Sequence, residues 1–236
     1  MELNLISKIN TAFKWLIPHR CVGCKTVIEH GSYPFCDSCY IELPFQDHCC
    51  RRCGQAFTSE LDYCGRCLVS PPAFDACFCP FKYEEPISGQ IQKFKYSYKS
   101  ELANGLAQSI YREILSNNIK LPELLVPVPI HIGRLRERGF NQSLLLAKNL
   151  STLLNVPYSN NIIKKHRATL AQVELSLKNR QKNVRKSFKL SSKITAKSVA
   201  IVDDVFTTGA TVAEITKILK RNGVDYVQIW GVAHTN

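Results

Sequence analysis

Four Cys-x-x-Cys pairs crowd into residues 21–67 and limit what this part of the chain can become. Cys21-x2-Cys24 is followed by eleven residues and then Cys36-x2-Cys39. Cys50-x2-Cys53 is followed by ten residues and then Cys64-x2-Cys67. Nine of the 11 cysteines fall in this stretch, which has no core-sized apolar run. A secreted disulfide framework uses an even number of cysteines spread over the fold. A cytosolic chain cannot keep such a cluster oxidised, so metal binding is the better reading. Each pair makes a tight turn that aims two thiolates at one ion, and two such turns complete a tetrahedron, the zinc-ribbon arrangement. Eight thiolates then fill two Zn²⁺ sites: Cys21, Cys24, Cys36 and Cys39 in one, Cys50, Cys53, Cys64 and Cys67 in the other. No position is left for water, so the role is structural. Gly23, Gly54 and Gly65 lie within or directly after these turns, where backbone of positive φ is useful. Sequential pairing is the simpler scheme. A cross-braced one, with the first and third pairs on one ion, stays open, as do Cys49 in place of Cys50 and a nitrogen ligand from His48. Cys77 and Cys79 alternate along an expected strand and read as small buried hydrophobes.

Charge is as localised as cysteine. Residues 131–193 hold 14 Lys or Arg against Glu137 and Glu174, a net +12 that equals the excess of the whole 236-residue chain. A merely solvated surface mixes signs. A one-sign segment this long points to phosphate or polyanion binding, with a solvated helix face as the alternative for residues 178–189. A hydrophobic content of 45% excludes wholesale disorder. The longest apolar run, around Leu124–Ile130, contains two prolines, so no transmembrane helix and no direct membrane insertion are expected. Asn4, Lys8, Asn10 and Lys14 interrupt the apolar residues at the N-terminus, which does not read as a signal peptide. A cytoplasmic location is the expectation.

Three regions follow from these shifts. Residues 1–18 carry Leu5, Ile6, Ile9, Ala12, Phe13, Leu16 and Ile17 near helical spacing, which predicts an amphipathic helix closed by Pro18. Residues 19–69 form the cysteine-rich module, folded by metal rather than by a core. Ser70-Pro71-Pro72 marks a linker. Residues 74–236 alternate between strand and helix patterns, with strands near 75–83, 124–128, 197–203 and 224–232 and helices near 85–95, 99–117, 141–154 and 211–222. Strands separated by helices predict βαβ units, hence an α/β fold with a parallel sheet flanked by helices and a small N-terminal zinc module.

Val199-Ala-Ile-Val-Asp203-Asp204-Val-Phe-Thr207-Thr208-Gly209-Ala210-Thr211 carries the most chemistry. An apolar strand ends in two carboxylates, and a hydroxyl-rich loop with one glycine leads into a helix. Ligands of open α/β sheets bind at the carboxyl ends of strands. Amides at the helix start can cradle a phosphate, with threonine hydroxyls as further donors. Carboxylates beside a phosphate make sense as acceptors for sugar hydroxyls, directly or through Mg²⁺. An acid pair holding Mg²⁺ alone and a capped helix without a ligand are the alternatives.

The segment resembles the phosphoribosyl pyrophosphate (PRPP) motif of type I phosphoribosyltransferases. That resemblance implies that Asp203 and Asp204 hold the ribose 2′- and 3′-hydroxyls. It implies that Thr207, Thr208, Gly209, Ala210 and Thr211 hold the 5′-phosphate, with Mg²⁺ accompanying PRPP. Val126-Pro127-Val128-Pro129, then Arg134-x3-Arg138-Gly139-Phe140-Asn141-Gln142, then Lys165-x-Arg167-x-Thr169-x2-Gln172 follow. Leu177, Arg180, Asn183 and Phe188 stand behind them. With the cysteine module, the chain from Cys21 onward is similar to the ComF family of competence proteins, also called GntX-like phosphoribosyltransferases. By this resemblance the fold is a type I phosphoribosyltransferase-like sheet with an N-terminal double zinc ribbon. Arg134, Arg138, Lys165, Arg167, Gln172 and Arg180 then serve the pyrophosphate and a flexible closing loop. The family's link to natural transformation implies a cytoplasmic protein that binds PRPP and handles single-stranded DNA during uptake, with a DNA-uptake helicase or channel as a further partner. One pyrophosphate does not require +12, and the surplus suits a nucleic acid backbone. Lys164, Lys165, Arg167, Lys182, Arg185 and Lys186 are the candidates for that contact. Phe140, Tyr158, His166 and Phe188 either stack on bases or pack internally. An active phosphoribosyltransferase of nucleotide metabolism and a catalytically inactive zinc adaptor docking an uptake helicase or channel are the competing functions. The chain ends at Asn236, just after the last expected strand, so no C-terminal hood for an acceptor base is expected. Turnover is left open.

Overall fold

The structure is a computed structural model that describes residues 19–28, 34–57, 61–96, 100–166 and 187–235. The helix expected within residues 1–18 lies outside them. Two compact units divide the chain, Met1–Leu43 and Pro44–Asn236. In the first, β1 (His19–Arg20) and β2 (Val27–Ile28) pair antiparallel across the Cys21–Cys24 turn. Helix α1 (Asp37–Ile41) follows, with Cys36 at its N-cap.

The second unit opens on the equivalent Cys50–Cys53 turn and α2 (Gly65–Val69), with Cys64 at the N-cap. The chain then runs β3 (Ala76–Phe78), β4 (Phe81–Lys82), α3 (Ile87–Tyr96), α4 (Ser100–Ser116), β5 (Leu124–Pro127), α5 (Ile132–Arg138) and α6 (Gln142–Leu154). It continues through β6 (Ile163–Lys165), β7 (Phe188–Leu190), β8 (Ser198–Phe206), α7 (Ala210–Arg221) and β9 (Tyr226–His234). The main sheet has the order β3-β9-β8-β5, and β4 pairs with β9 beyond the end of β3. Every pairing in it is parallel. The central strands accordingly read as near-continuous apolar runs: Val199–Val202 of β8 and Val227–Ala233 of β9 are buried throughout.

Alternation sorts these residues to two faces. Val199, Ile201, Val227 and Ile229 share a core with Val212, Ile215 and Leu219 of α7 and with Ile163 and Phe188 of the β6–β7 pair. Helices α4 and α6 pack on each other and on β5, β8 and β9, covering the other face. The parallel α/β architecture is thus the one the strand and helix patterns predict. Five short helices and strands were not expected: α1 and α2 beside the cysteine turns, and α5, β6 and β7 in the sheet region. One expectation needs correction, and one open alternative is resolved in favour of internal packing. Only Gly54 of the three zinc-turn glycines has positive φ, at 72°. In the first turn Lys25 takes that position, at 65°, and both follow the second cysteine of a pair. Phe140 packs its ring 5.9 Å from that of Phe94, and Phe188 is buried in the core, so neither ring is available to stack on a base.

Candidate functional site

Burial in β8 breaks where the carboxylates begin. Val199–Val202 are buried, and Asp203 and Asp204 emerge at the carboxyl end into a cavity of about 580 Å³. Thr207, Thr208, Gly209, Ala210 and Thr211 form one wall, and Arg134, Arg138 and Lys165 stand on others. Gly209 is the N-cap of α7 at φ +70°, with no side chain capping the helix. A glycine N-cap offers no side chain to its own helix, and the helix dipole favours an anion there. A Cβ on Gly209 would sit 3.0 Å from Cζ of Phe206, so close packing and positive φ both require glycine.

The acid pair is held by its own backbone and by two side chains, Ser143 and Lys95, that no motif points to. The Ser143 hydroxyl donates to Asp203 Oδ1 at 2.8 Å, and the Asp204 amide donates to the same oxygen at 3.0 Å. The Val205 amide donates to Asp204 Oδ1 at 2.9 Å, and Lys95 Nζ lies 3.3 Å from Asp204 Oδ2. Crowding by protein and the neighbouring Asp204 charge push the Asp203 carboxyl up to about 7. Lys165, over the Phe188 ring at 5.5 Å, is pushed down to about 8 by burial and by Arg134.

The Arg138-Gly139-Phe140-Asn141-Gln142 stretch is a helix-to-helix turn. Gly139 ends α5 at φ +79°, Phe140 anchors the turn, and Asn141 caps α6 through Leu144 while donating to the Val128 carbonyl at 3.1 Å. Gln142 donates to the Lys95 carbonyl at 3.3 Å and lies near Arg138 Nη1 at 3.5 Å. Lys164 is exposed and does not line the cavity. Arg167, Gln172, Arg180, Lys182, Arg185 and Lys186 lie outside the described residues. Lys95, Ser143, Tyr83 and Tyr96 also line the cavity. Sequence reading missed them because their places come from chain reversals, not from spacing.

The eight candidate metal ligands form two separate quartets. Cys21, Cys24, Cys36 and Cys39 have all sulfurs within 4.8 Å of one another, and so do Cys50, Cys53, Cys64 and Cys67. Cys24–Cys36 and Cys53–Cys64 each measure 3.7 Å between sulfurs. A tetrahedron with Zn–S bonds of about 2.3 Å has sulfur edges of about 3.8 Å, so both quartets fit zinc. Backbone repeats between them: Cys36 N–H donates to Cys21 Sγ, and Cys64 N–H to Cys50 Sγ, each at 3.3 Å. Pairing is therefore sequential, not cross-braced. Cys49 stands outside the quartet, its thiol pushed up to about 11 by burial. Cys77 and Cys79 are buried with sulfurs 3.9 Å apart.

A family described as a double zinc ribbon domain matches residues 12–68. Together with the two Cys₄ quartets it supports two structural zinc ions. Competence protein F of Haemophilus influenzae is 34% identical over 221 residues, 91% of this chain and 96% of that protein. The DNA utilization protein YhgH of Escherichia coli K12 is 34% identical over 223 residues, 93% of this chain and 98% of that protein. Among solved structures, a Bacillus subtilis glutamine PRPP amidotransferase complexed with ADP and GMP aligns with a TM-score of 0.40 and 15% identity. That alignment covers 60% of this chain and 30% of the other. A purine phosphoribosyltransferase from Pyrococcus horikoshii gives 0.35 and 15%, covering 59% and 86%. No helix among the described residues is long and apolar enough to cross a membrane.

Proposed function

Because the chain belongs to the ComF family of competence proteins, with Competence protein F and YhgH as relatives, we propose that it is a cytoplasmic protein of DNA uptake that binds PRPP and handles single-stranded DNA. The observation that carries the PRPP half is one cavity in which an acid pair, the N-terminus of α7 and four cations, Lys95 among them, converge. The 5′-phosphate of the ligand lies on Thr207–Thr211, where amides and hydroxyls donate. Its ribose hydroxyls donate to Asp203 and Asp204. Its pyrophosphate lies toward Arg134, Arg138 and Lys165, and Mg²⁺ accompanies those phosphates. The chain's own work is to bind, orient and charge-match; no acceptor is assigned, so the reading is of a binding protein.

Support for the DNA half comes from the β6–β7 pair. Its register sets Lys164 directly opposite Lys189, and both are exposed. Like charges opposite one another destabilise a sheet unless an anion lies over them. His166, whose amide donates to the Ser187 carbonyl just before β7, is exposed beside it, and Tyr158 is exposed at its bridge to Leu125 of β5. An uptake helicase or channel is the further partner this reading allows.

Calorimetry tests it. PRPP with Mg²⁺ should bind the parent protein, and Asp203→Ala with Asp204→Ala should abolish binding, since each missing charge-linked hydrogen bond costs about 1.5–3 kcal/mol. Equal binding by the double variant sinks the site. A second titration with single-stranded DNA should bind at low salt. PRPP binding without DNA binding would favour the enzyme reading instead.

A further inference from the structure

Two adjacent carboxylates at a strand end are an ordinary place for a divalent cation, yet this pair already has a counter-ion. Lys95, near the end of α3, sets its ammonium 3.3 Å from Asp204 Oδ2. Both side chains are mostly buried, 24% exposed for Lys95 and 14% for Asp204, so solvent screens the pair little. The lysine is itself fixed: its carbonyl accepts the Gln142 side-chain amide at 3.3 Å. Gln142 is buried and begins α6, the helix that also supplies the Ser143 hydroxyl to Asp203. The two acids and the lysine thus form one assembly tied to the start of α6. Asp204 Oδ1 is taken by the Val205 amide and Asp203 Oδ1 by Ser143 and the Asp204 amide. Asp203 Oδ2 accepts from no amide, hydroxyl or ammonium among the described residues, and the two carboxyls lie within reach of each other.

We infer that Lys95 is a positioning residue that occupies the cation place of the acid pair, so that Asp203 and Asp204 take a sugar diol directly and a divalent cation enters only with the ligand's phosphates. A second cation at Asp204 would meet the ammonium at close range, where like-charge repulsion in a poorly screened site is strong. The lysine leaves Asp203 Oδ2 to accept a hydroxyl and holds Asp204 in one orientation. The inference rests on the sugar-phosphate reading only for the identity of the diol.

The test uses manganese alone, with no sugar phosphate, so its failure is read apart from any failure of PRPP binding. The full-length, zinc-loaded parent, Lys95→Met and Lys95→Arg are titrated with Mn²⁺ and followed by electron paramagnetic resonance. The parent and Lys95→Arg should show no manganese site that Asp203→Asn removes. Lys95→Met should gain one, tighter by about tenfold or more, and Asp203→Asn in that background should abolish it. A merely structural lysine would not create a metal site on its removal. A parent that binds Mn²⁺ at the acid pair as tightly as Lys95→Met overturns the inference. So does a gain in Lys95→Met that survives Asp203→Asn. If Lys95→Met does not fold, the parent decides alone, because manganese on its acid pair without sugar phosphate is already contrary.

Discussion

Asp203 and Lys165 are drawn toward each other in pH. The first carboxyl is raised from 3.8 to about 7 and the second group's ammonium lowered from 10.5 to about 8. A carboxylate accepts hydroxyls in its ionised form, and an ammonium attracts pyrophosphate only while protonated. PRPP affinity should therefore rise as pH passes 7 and fall as it passes 8. Asp203→Asn should remove the acid limb and Lys165→Met the alkaline limb, as calorimetry across pH 6–9 will show; a flat parent profile would contradict both. For stability the Asp203 sign is opposite. The folded form holds a proton that the unfolded chain releases near 3.8, so this stabilisation is present at low pH and is lost as pH rises through about 7. Gly54 gives a backbone prediction. Its φ is +72°, and a Cβ there would stand 3.0 Å from Cys77 Sγ and from His234 Cδ2. Gly54→Ala should cost about 1–3 kcal/mol. Gly65→Ala, with ordinary φ and no atom within 4 Å of the new Cβ, should be nearly neutral in the same thermal melts.

At the scale of elements, β6 and β7 carry the DNA prediction. Lys164→Glu with Lys189→Glu reverses the paired charges on the exposed face while leaving Lys165 in the cavity. Single-stranded DNA affinity should drop, and the salt slope should flatten by about 0.7 for each phosphate no longer neutralised. PRPP binding should be unchanged; an unchanged slope removes these strands from the interface. Why these strands escaped sequence reading is physical. Three residues each are too few to show a period, and their pairing spans residues 166–187. Helix α5 escaped for another reason: none of its residues is buried, so Arg134, Arg136 and Arg138 read as charge rather than as a helix face. The long central strands were legible because parallel strands covered on both faces must be apolar throughout. So was the phosphate loop, because glycine, hydroxyls and acids sit together in the chain. Lys95 and Ser143 were not legible, because their contacts with Asp204 and Asp203 exist only once α3 and α6 pack beside β8.

At the scale of the molecule, composition groups both cysteine quartets in residues 19–69, whereas the contacts group the second with the sheet in Pro44–Asn236. The ties are backbone ones. The Cys77 amide donates to the Arg51 carbonyl at 3.0 Å, inside the Cys50–Cys53 turn. Gln46 links its own amide to the Pro80 carbonyl at 2.7 Å and its side chain to the Gly54 carbonyl at 3.0 Å. These bonds hold the turn against β3 and β4, the edge of the same sheet whose β8 presents Asp203. A structural zinc lends its binding energy to whatever its ligands are tied to, so the second ion should stabilise the edge strand as well as its own loop. Elemental analysis should find two zinc ions per parent chain. Cys53→Ser and Cys24→Ser should each leave one. Hydrogen exchange then separates them: the Cys77 amide should lose protection in Cys53→Ser far more than in Cys24→Ser, which controls for zinc loss as such. Equal protection in the two variants would mean that the second ribbon is fastened to the sheet without helping to hold its edge.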